Sequence, residues 1–210
     1  GFARETPRAG IWGGRTVFPD GSLNIASCWM RITPRSLFCW AFGLSALFPR
    51  SEFFSPEAMG GWQRDSVREV DIVVGCFLLI RKALWDELGG FDLKYFMYGE
   101  ESDLCLRAAR QGYRPMITPD AQIMHLVGAA TSSRADKMPR VFKARATLVR
   151  DHWSSWSVPV GLGLMWAGVA LRYGAGTFLK PLRPGPAETY GRLWRERGDW
   201  MAGYLPADRP

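Results

Sequence analysis

The amino-acid sequence predicts an α/β domain followed by a helical tail. An apolar run rich in branched residues, at positions 70–80, has the composition of a strand buried on both faces. Two helical patterns follow it, and residues 113–126 then return to a strand-like alternation of polar and apolar side chains. In α/β domains, functional side chains collect at the carboxyl ends of strands and in the loops that follow them.

The first strand and helix are predicted from residues 70–90. The run from Val70 to Ile80 predicts one central strand, because nearly every side chain in it is apolar. Residues 81–88 place apolar side chains three and four positions apart, which is typical of a helix. Gly89 and Gly90 then predict a left-handed stop.

A second helix is predicted over residues 99–111, with its acidic residues first and Gly112 as its stop. The aromatic residues 91–98 before it predict a loop or a strand. After it, residues 113–117 and 121–126 predict two short strands or extended segments. A turn at Thr118-Pro119-Asp120 separates them.

Length and composition exclude disorder and a disulfide-stapled mini-protein. The chain has 210 residues, of which 47% are hydrophobic and 22% charged, and this is ample for a hydrophobic core. Its cysteines are widely spaced, lie in apolar surroundings and form no Cys-x-x-Cys pair. They are Cys28, Cys39, Cys76 and Cys105. We expect reduced core thiols, which favours the cytoplasm.

The net charge of +7 comes from one segment. Residues 1–129 hold fourteen basic and fourteen acidic side chains, whereas residues 130–183 hold nine basic and two acidic ones. Without a recognition-helix or zinc-finger pattern, this surplus does not predict nucleic-acid binding. Because it adjoins the most apolar stretch of the chain, an anionic membrane surface is the better expected partner.

That apolar stretch, Ser157–Leu171, is too short to cross a bilayer. It is compatible with an interfacial, a re-entrant or a core-docked helix, and a tail helix lying on its own domain is an equally good alternative. The basic neighbours and the nearby tryptophans Trp153, Trp156 and Trp166 favour the membrane interpretation.

The domain organisation follows from these patterns. Residues 1–150 are predicted to form the α/β domain, and residues 151–210 a basic and apolar helical tail. Within the tail, the Pro- and Gly-rich residues 180–186 predict a linker into a short polar end. The tryptophans and prolines of residues 10–69 suit either sugar stacking or the core of an irregular insertion, and the core is favoured for each Trp taken singly.

Two features carry possible chemistry. Glu100, Glu101 and Asp103 crowd into four positions at a predicted helix start. Acids there complement the helix dipole, but three together favour a catalytic interpretation, since a carboxylate can accept a proton from a hydroxyl. His125 closes an apolar segment before a small-residue loop. A lone histidine is usually structural, although this position also suits a metal or diphosphate contact.

A string of short motifs runs in one order through the middle of the chain. It consists of Val74–Lys82 (VGCFLLIRK), Gly89–Asp92 (GGFD), Phe96–Arg107 (FMYGEESDLCLR), Gly112–Tyr113, Pro119–Ala121 and His125. In this order and spacing it resembles the family 2 glycosyltransferases of the GT-A fold, especially the bacterial rhamnosyltransferase-like members that build surface polysaccharides. The resemblance extends from Pro19 to about Trp153.

The resemblance implies an inverting transfer of sugar from a nucleotide-sugar donor to a glycan or a polyprenyl-linked acceptor, assisted by a divalent metal, Mg or Mn. It implies Glu101 as the catalytic base, although the family has Asp there, with Glu100 as the alternative. Further site residues are Asp103 and Arg107 on the acceptor side, Gly75 and Tyr98 for substrate binding, and His125 for the metal and the donor diphosphate. Asp20-Gly21 resembles the loop turn that follows the donor half.

One departure stands out, since the family's Asp-x-Asp metal motif occurs nowhere in this sequence. We therefore expect a partial GT-A-like fold lacking the N-terminal nucleotide-binding half, a fragment that transfers no sugar by itself. Its expected location is cytoplasmic, peripheral to the inner face of the cell membrane. The alternative function is a non-catalytic carbohydrate- and membrane-binding module. Its glycan binding would be independent of metal and unchanged by Glu101→Gln.

Overall fold

The computed structural model describes residues 1–126, 133–179 and 184–205. The chain divides into two compact units. Unit 1 comprises residues 1–31, 49–92 and 100–127, and unit 2 comprises residues 32–48, 93–99 and 128–210. The α/β class with a helical C-terminal region, consistent with a GT-A-like fold, is confirmed. The predicted division at residues 150 and 151 stays a prediction.

The described strands all belong to unit 1. They are β1 (Ile11–Val17), β2 (Leu23–Asn24), β3 (Cys28–Trp29), β4 (Arg68–Glu69), β5 (Ile72–Val73), β6 (Leu78–Ile80) and β7 (Met116–Met124). The larger sheet has the order β2-β1-β7-β4, and β6 also pairs with β1. Only β1 and β7 are parallel in this described sheet. Strands β3 and β5 form a second, two-stranded sheet.

The described helices are distributed over both units. They are α1 (Phe2–Glu5), α2 (Pro34–Ala41), α3 (Leu44–Leu47), α4 (Lys82–Leu88), α5 (Glu100–Arg110), α6 (Arg134–His152), α7 (Val158–Leu179), α8 (Pro184–Arg195) and α9 (Arg197–Ala202). The two helices predicted before and after the aromatic segment are α4 and α5, and they lie in unit 1. Their predicted stops are confirmed, since Gly89 and Gly112 have φ values of 71° and 91°.

The prediction of one central strand over Val70–Ile80 is wrong. The run divides into β5, a 3₁₀ turn at Gly75–Phe77, and β6, which pair in two different sheets. The turn at Gly75 redirects the chain between them. The apolar side chains are therefore not all buried, and Leu79 on β6 is 53% exposed.

The prediction of two short strands around a turn at Thr118–Asp120 is also wrong, because β7 is continuous over this segment. It pairs with β1 up to Gly14↔Thr118 and resumes at Arg15↔Gln122, so that the extra residues form a bulge. Gly14 permits this approach, since a Cβ there would overlap the carbonyl oxygen of Ala121 and the Phe77 ring.

The core of unit 1 lies between its sheets and the helices α4 and α5. Its fully buried members include Ile11, Val73, Leu84, Leu104 and Ile117. All four cysteines are free. The prediction of core thiols is confirmed for Cys28, Cys39 and Cys105, whereas Cys76 is only half-buried.

A buried arginine organises the irregular segment between α3 and β4. The Arg64 guanidinium donates to the carbonyl oxygens of Trp62 (2.7 Å), Ala58 (3.1 Å) and Ile25 (3.4 Å). Burial lowers the pKa of this side chain. Three carbonyl groups thus accept the hydrogen bonds of the positively charged guanidinium, and these bonds hold the segment in position.

Unit 2 is built on the long helices α6 and α7. The predicted apolar run Ser157–Leu171 extends into the 22-residue helix α7, with Leu162, Met165 and Val169 buried. Among the described residues, no helix combines the length and apolar character that a bilayer crossing requires.

The prediction of a linker over residues 180–186 needs a correction. Residues 180–183 lie outside the described residues, but Pro184–Pro186 form the first turn of α8, where proline is tolerated. The polar end of the chain consists of α8 and α9, which are held by the buried side chains of Leu193 and Trp200.

The bulge on β7 leads to a test at Gly14. Gly14→Ala is expected to lower the free energy of unfolding by about 2–3 kcal/mol, because the new methyl group must displace backbone of β7. Urea denaturation followed by circular dichroism measures this change. Gly61→Ala is the matched control, since its Cβ would meet only ordinary contacts near 3.5 Å, and it should change stability by about 0.5 kcal/mol or less. Equal effects of the two substitutions would contradict the close approach.

Candidate functional site

The first turn of α5 carries the predicted catalytic acids. Glu100 and Glu101 are the first two residues of this helix. They follow Tyr98 and Gly99, whose φ values of 68° and 90° are both left-handed. A glycine adopts this conformation at low cost, but for a tyrosine it is a strained state, of the kind that clusters at functional sites. The chain therefore turns sharply just before the acids.

Glu101 lies beside the 3₁₀ turn of unit 1. A Cβ built on Gly75 would stand 3.9 Å from the Cβ of Glu101, and Gly75 itself is exposed. Burial raises the pKa of the neighbouring Cys76 thiol, and the charge of Glu101 adds to the effect. The structure thus brings together two predicted site residues, Gly75 and Glu101, which are 26 positions apart.

Glu100 has an unusual carboxylate. Its Oε2 atom is buried and has no hydrogen-bond partner among the described residues. A buried polar atom without a partner typically costs about 1–3 kcal/mol, so such atoms are rare and call for an explanation. Because this atom is buried, it does not itself present an acceptor to a bound hydroxyl group.

Asp103 and Arg107 form a clamp inside unit 1. Arg107 Nε donates to the buried Asp103 carboxylate at 2.7 Å, one turn away on the same helix. Its two terminal nitrogens donate to the carbonyl oxygens of Leu88 (2.7 Å) and Gly90 (2.8 Å). The planar guanidinium thereby ties the end of α4 to α5. These contacts are structural, and the predicted substrate contacts of this pair stay predictions.

His125 follows the end of β7, where its backbone N–H donates to the carbonyl oxygen of Val17 at 2.9 Å. Across residues 1–126, 133–179 and 184–205, no three His, Cys, Asp or Glu side chains are grouped so that they could hold a metal ion. One imidazole does not make a metal site. The described residues therefore do not fit the predicted metal, and the metal role of His125 stays a prediction.

The turn at Asp20-Gly21 is built from its own side chains. The Asp20 carboxylate accepts hydrogen bonds from the Ser22 hydroxyl (2.6 Å) and backbone N–H (2.9 Å), which lower its pKa. Gly21 has a φ of 80°. The acid stabilises the loop between β1 and β2, as expected of an Asx turn.

Tyr98 belongs to the aromatic segment 93–99 of unit 2, where the Lys137 ammonium lies 5.2 Å from its ring. Two residues that sequence reasoning missed hold this segment. Asp151 accepts a hydrogen bond from the Tyr95 hydroxyl at 2.7 Å, and the Tyr204 hydroxyl donates to the Met97 carbonyl oxygen at 2.7 Å. No local sequence signal points to these partners, because they lie more than fifty positions away.

Comparisons with known proteins identify sequences to which this chain is similar. The family model described as glycosyltransferase-like family 2 matches residues 46–144. The chain is 28% identical over 155 residues to an N-acetylglucosaminyl-diphospho-decaprenol L-rhamnosyltransferase of Mycobacterium tuberculosis, covering 73% of the chain and 50% of that protein. It is 25% identical over 153 residues to the O-antigen biosynthesis protein RfbC of Myxococcus xanthus, covering 73% of the chain and 10% of that protein.

A shorter match, 41% identical over 56 residues, joins 27% of the chain to 21% of the rhamnosyltransferase WbbL of Escherichia coli. The chain thus spans half or less of the length of these curated relatives. No solved structure matches it. The predicted resemblance to rhamnosyltransferase-like members of family 2 is confirmed.

The clamp predicts a large loss of stability in Arg107→Met. The substitution removes the guanidinium that donates to the buried Asp103 carboxylate and to two carbonyl groups, and we expect a loss of about 2–4 kcal/mol in the free energy of unfolding. Arg107→Lys should recover little, because one ammonium group cannot reach all three acceptors. Urea denaturation measures both. The control is Arg114→Met at an exposed position of unit 1, and a parent-like midpoint for Arg107→Met would disprove the clamp.

Thiol labelling at pH 8 provides a second test. Cys76 should react first with Ellman's reagent, because it is only half-buried beside Gly75. Cys105 should stay unreactive until denaturant is added, since burial raises its pKa to about 12 and the thiol remains protonated. Cys76→Ser should abolish the fast phase. Fast labelling that persists in this variant would contradict the assignment.

Proposed function

We propose that this chain, whose residues 46–144 match the family model described as glycosyltransferase-like family 2, forms the acceptor-side part of an inverting glycosyltransferase of surface-polysaccharide synthesis. The observation that carries the proposal is the first turn of α5. There, inside the matched segment, the Glu101 side chain stands next to the exposed backbone of Gly75. An acidic side chain that starts beside accessible backbone suits a base that meets an acceptor hydroxyl.

In this proposal Glu101 is the general base. Its carboxylate takes the proton of the acceptor hydroxyl while that oxygen bonds to the anomeric carbon of the donor sugar. The bond from this carbon to the diphosphate breaks on the opposite face, the nucleoside diphosphate leaves with the electron pair, and the configuration inverts. The positive end of the α5 dipole favours negative charge at this position. Glu100, the preceding residue of the same turn, is the alternative base.

The other site residues have proposed roles that differ in kind. Gly75 leaves room for the acceptor, because among the described residues, apart from its two chain neighbours, only Glu101 comes within 4 Å of a Cβ at its position. Tyr98 would contact substrate from the strained turn before α5. Asp103 and Arg107 would act as positioning residues that hold α5 against the end of α4.

The relatives' names support a substrate class. The Mycobacterium tuberculosis relative is named for L-rhamnosyl transfer to N-acetylglucosaminyl-diphospho-decaprenol, and the Escherichia coli relative is named a rhamnosyltransferase. For this chain we propose a nucleoside-diphosphate-L-rhamnose donor and a glycan acceptor linked to a polyprenyl diphosphate. The free thiols support a reducing, cytoplasmic location at the inner face of the membrane.

Donor and metal binding are proposed to need more than these 210 residues. The chain spans half of the M. tuberculosis relative, and the described residues do not form a three-ligand metal site. His125 would contribute one contact to the metal or the donor diphosphate. On this proposal the 210 residues alone do not transfer sugar.

The base assignment is tested in the protein made with its natural flanking sequence, by following labelled L-rhamnose from its nucleoside diphosphate into polyprenyl-linked acceptor. Glu101→Gln is expected to lower the rate by about a hundredfold or more, because it removes the proton acceptor but keeps the shape. Glu87→Gln, at an exposed position of α4, is the matched control and should retain the parent rate.

Other results of this assay would lead to different conclusions. A loss confined to Glu100→Gln would transfer the base role to Glu100. Parent-like rates in both variants would disprove the carboxylate base. Glycan binding that is independent of metal and unchanged by Glu101→Gln, without any transfer, would favour the binding-module alternative.

A further inference from the structure

The helices α2 and α3 of unit 2 carry a group of exposed apolar side chains. Residues 36–49 contain no charged side chain, and Arg35 and Arg50 flank them in the sequence. Four large apolar side chains of this stretch are between 44% and 69% exposed. They are Phe38, Phe42, Leu47 and Phe48, and we refer to them as the α2–α3 apolar face.

This exposure does not come from a loosely attached helix. The opposite side of α2 is buried, with Leu37 fully covered and the Trp40 ring 5.5 Å from the ring of Phe142 on α6. The Arg172 guanidinium of α7 stacks 4.5 Å from Trp40 and donates to the carbonyl oxygens of Trp40 and Ala41. These contacts anchor α2 to α6 and α7 and leave the phenylalanines outside.

The four side chains of the α2–α3 apolar face lie close together in the sequence. Phe38 and Phe42 are one helical turn apart, and their ring centroids lie 4.7 Å from each other. Gly43, with a φ of 77°, then turns the chain into α3, which ends at Leu47 and Phe48. A group of exposed apolar side chains this close together in the chain is typical of an interaction site.

Charge indicates what covers this face. Unit 2 contains 15 Lys and Arg against 6 Asp and Glu, whereas unit 1 contains 12 against 14. The surplus of positive charge and the apolar face therefore belong to the same unit. A second copy of unit 2 would bring like charges together, while an anionic lipid surface offers opposite charge and an apolar interior.

We propose that the α2–α3 apolar face docks on an anionic bilayer, with its four side chains at the boundary between headgroups and acyl chains. The Lys and Arg residues of unit 2 attract the lipid phosphates. This is an interfacial contact, and it assigns the membrane contact to residues 38–48 rather than to the apolar run in α7. It rests on the proposed function and deepens it, because a polyprenyl-linked acceptor is confined to the membrane.

Flotation of the protein with lipid vesicles tests this proposal. We expect the parent to bind phosphatidylcholine vesicles that contain phosphatidylglycerol, to bind phosphatidylcholine alone much less, and to be released by salt. The double substitution Phe38→Ser and Phe42→Ser should weaken the partitioning by about tenfold or more. Leu47→Ser is an independent variant in α3 and should also weaken it.

The matched control is Leu79→Ser, an exposed apolar residue on β6 of unit 1. It should bind vesicles like the parent, and circular dichroism checks that every variant is folded. Parent-like vesicle binding by folded variants in both α2 and α3 would overturn the proposal. So would a parent that binds no vesicles and forms a dimer that Phe42→Ser dissolves, as measured by light scattering.

No sugar donor is present in this experiment, so its failure leaves the Glu101 test untouched. Conversely, vesicle binding that requires Phe38 and Phe42 would stand even if Glu101→Gln retained full transfer.

Discussion

The ion pair between Arg107 and Asp103 is the contact on which the candidate site depends. A guanidinium has donors in a fixed plane, and here they reach a carboxylate on the same helix and two carbonyl oxygens at the end of α4. Those carbonyls are accessible because Gly89 and Gly90 are both left-handed, with φ values of 71° and 70°, and so turn the backbone at that point. The clamp also fixes the position of the acids in the first turn of α5, because a helix is rigid over one turn.

Two glycines shape the backbone around the candidate site in different ways. At Gly75 the apolar run is interrupted, and the resulting turn presents bare backbone beside Glu101. At Gly14 the absence of a side chain lets the bulged strand β7 keep its pairing with β1, and β7 ends just before His125. A methyl group at Gly14 would overlap the carbonyl oxygen of Ala121 and the Phe77 ring, whereas at Gly75 it would make only an ordinary contact with Glu101 among the described residues.

Local sequence patterns were sufficient to predict the features that depend on residues near each other in the chain. The glycine stops of α4 and α5, the acids at the start of α5 and the buried thiols of Cys28 and Cys105 all follow from spacing and composition. The division of residues 70–80 and the bulge in β7 depend on pairing with strands far away in the chain, which no local pattern records. The same holds for the Tyr204 contact to the aromatic segment, and for the phenylalanines of α2, whose apolar character alone does not tell an inner from an outer face.

The distribution of charge adds an argument about the proposed membrane contact. Unit 1 carries the predicted catalytic base and has slightly more acidic than basic side chains, whereas unit 2 carries all of the positive surplus. In the proposed docking, an anionic surface attracts unit 2, which carries the positive surplus, and not unit 1. This attraction acts over about 10 Å at moderate ionic strength and fades with salt, whereas apolar insertion acts only at contact. The proposal thus combines a long-range attraction with a short-range anchor, and neither requires a helix that crosses the bilayer.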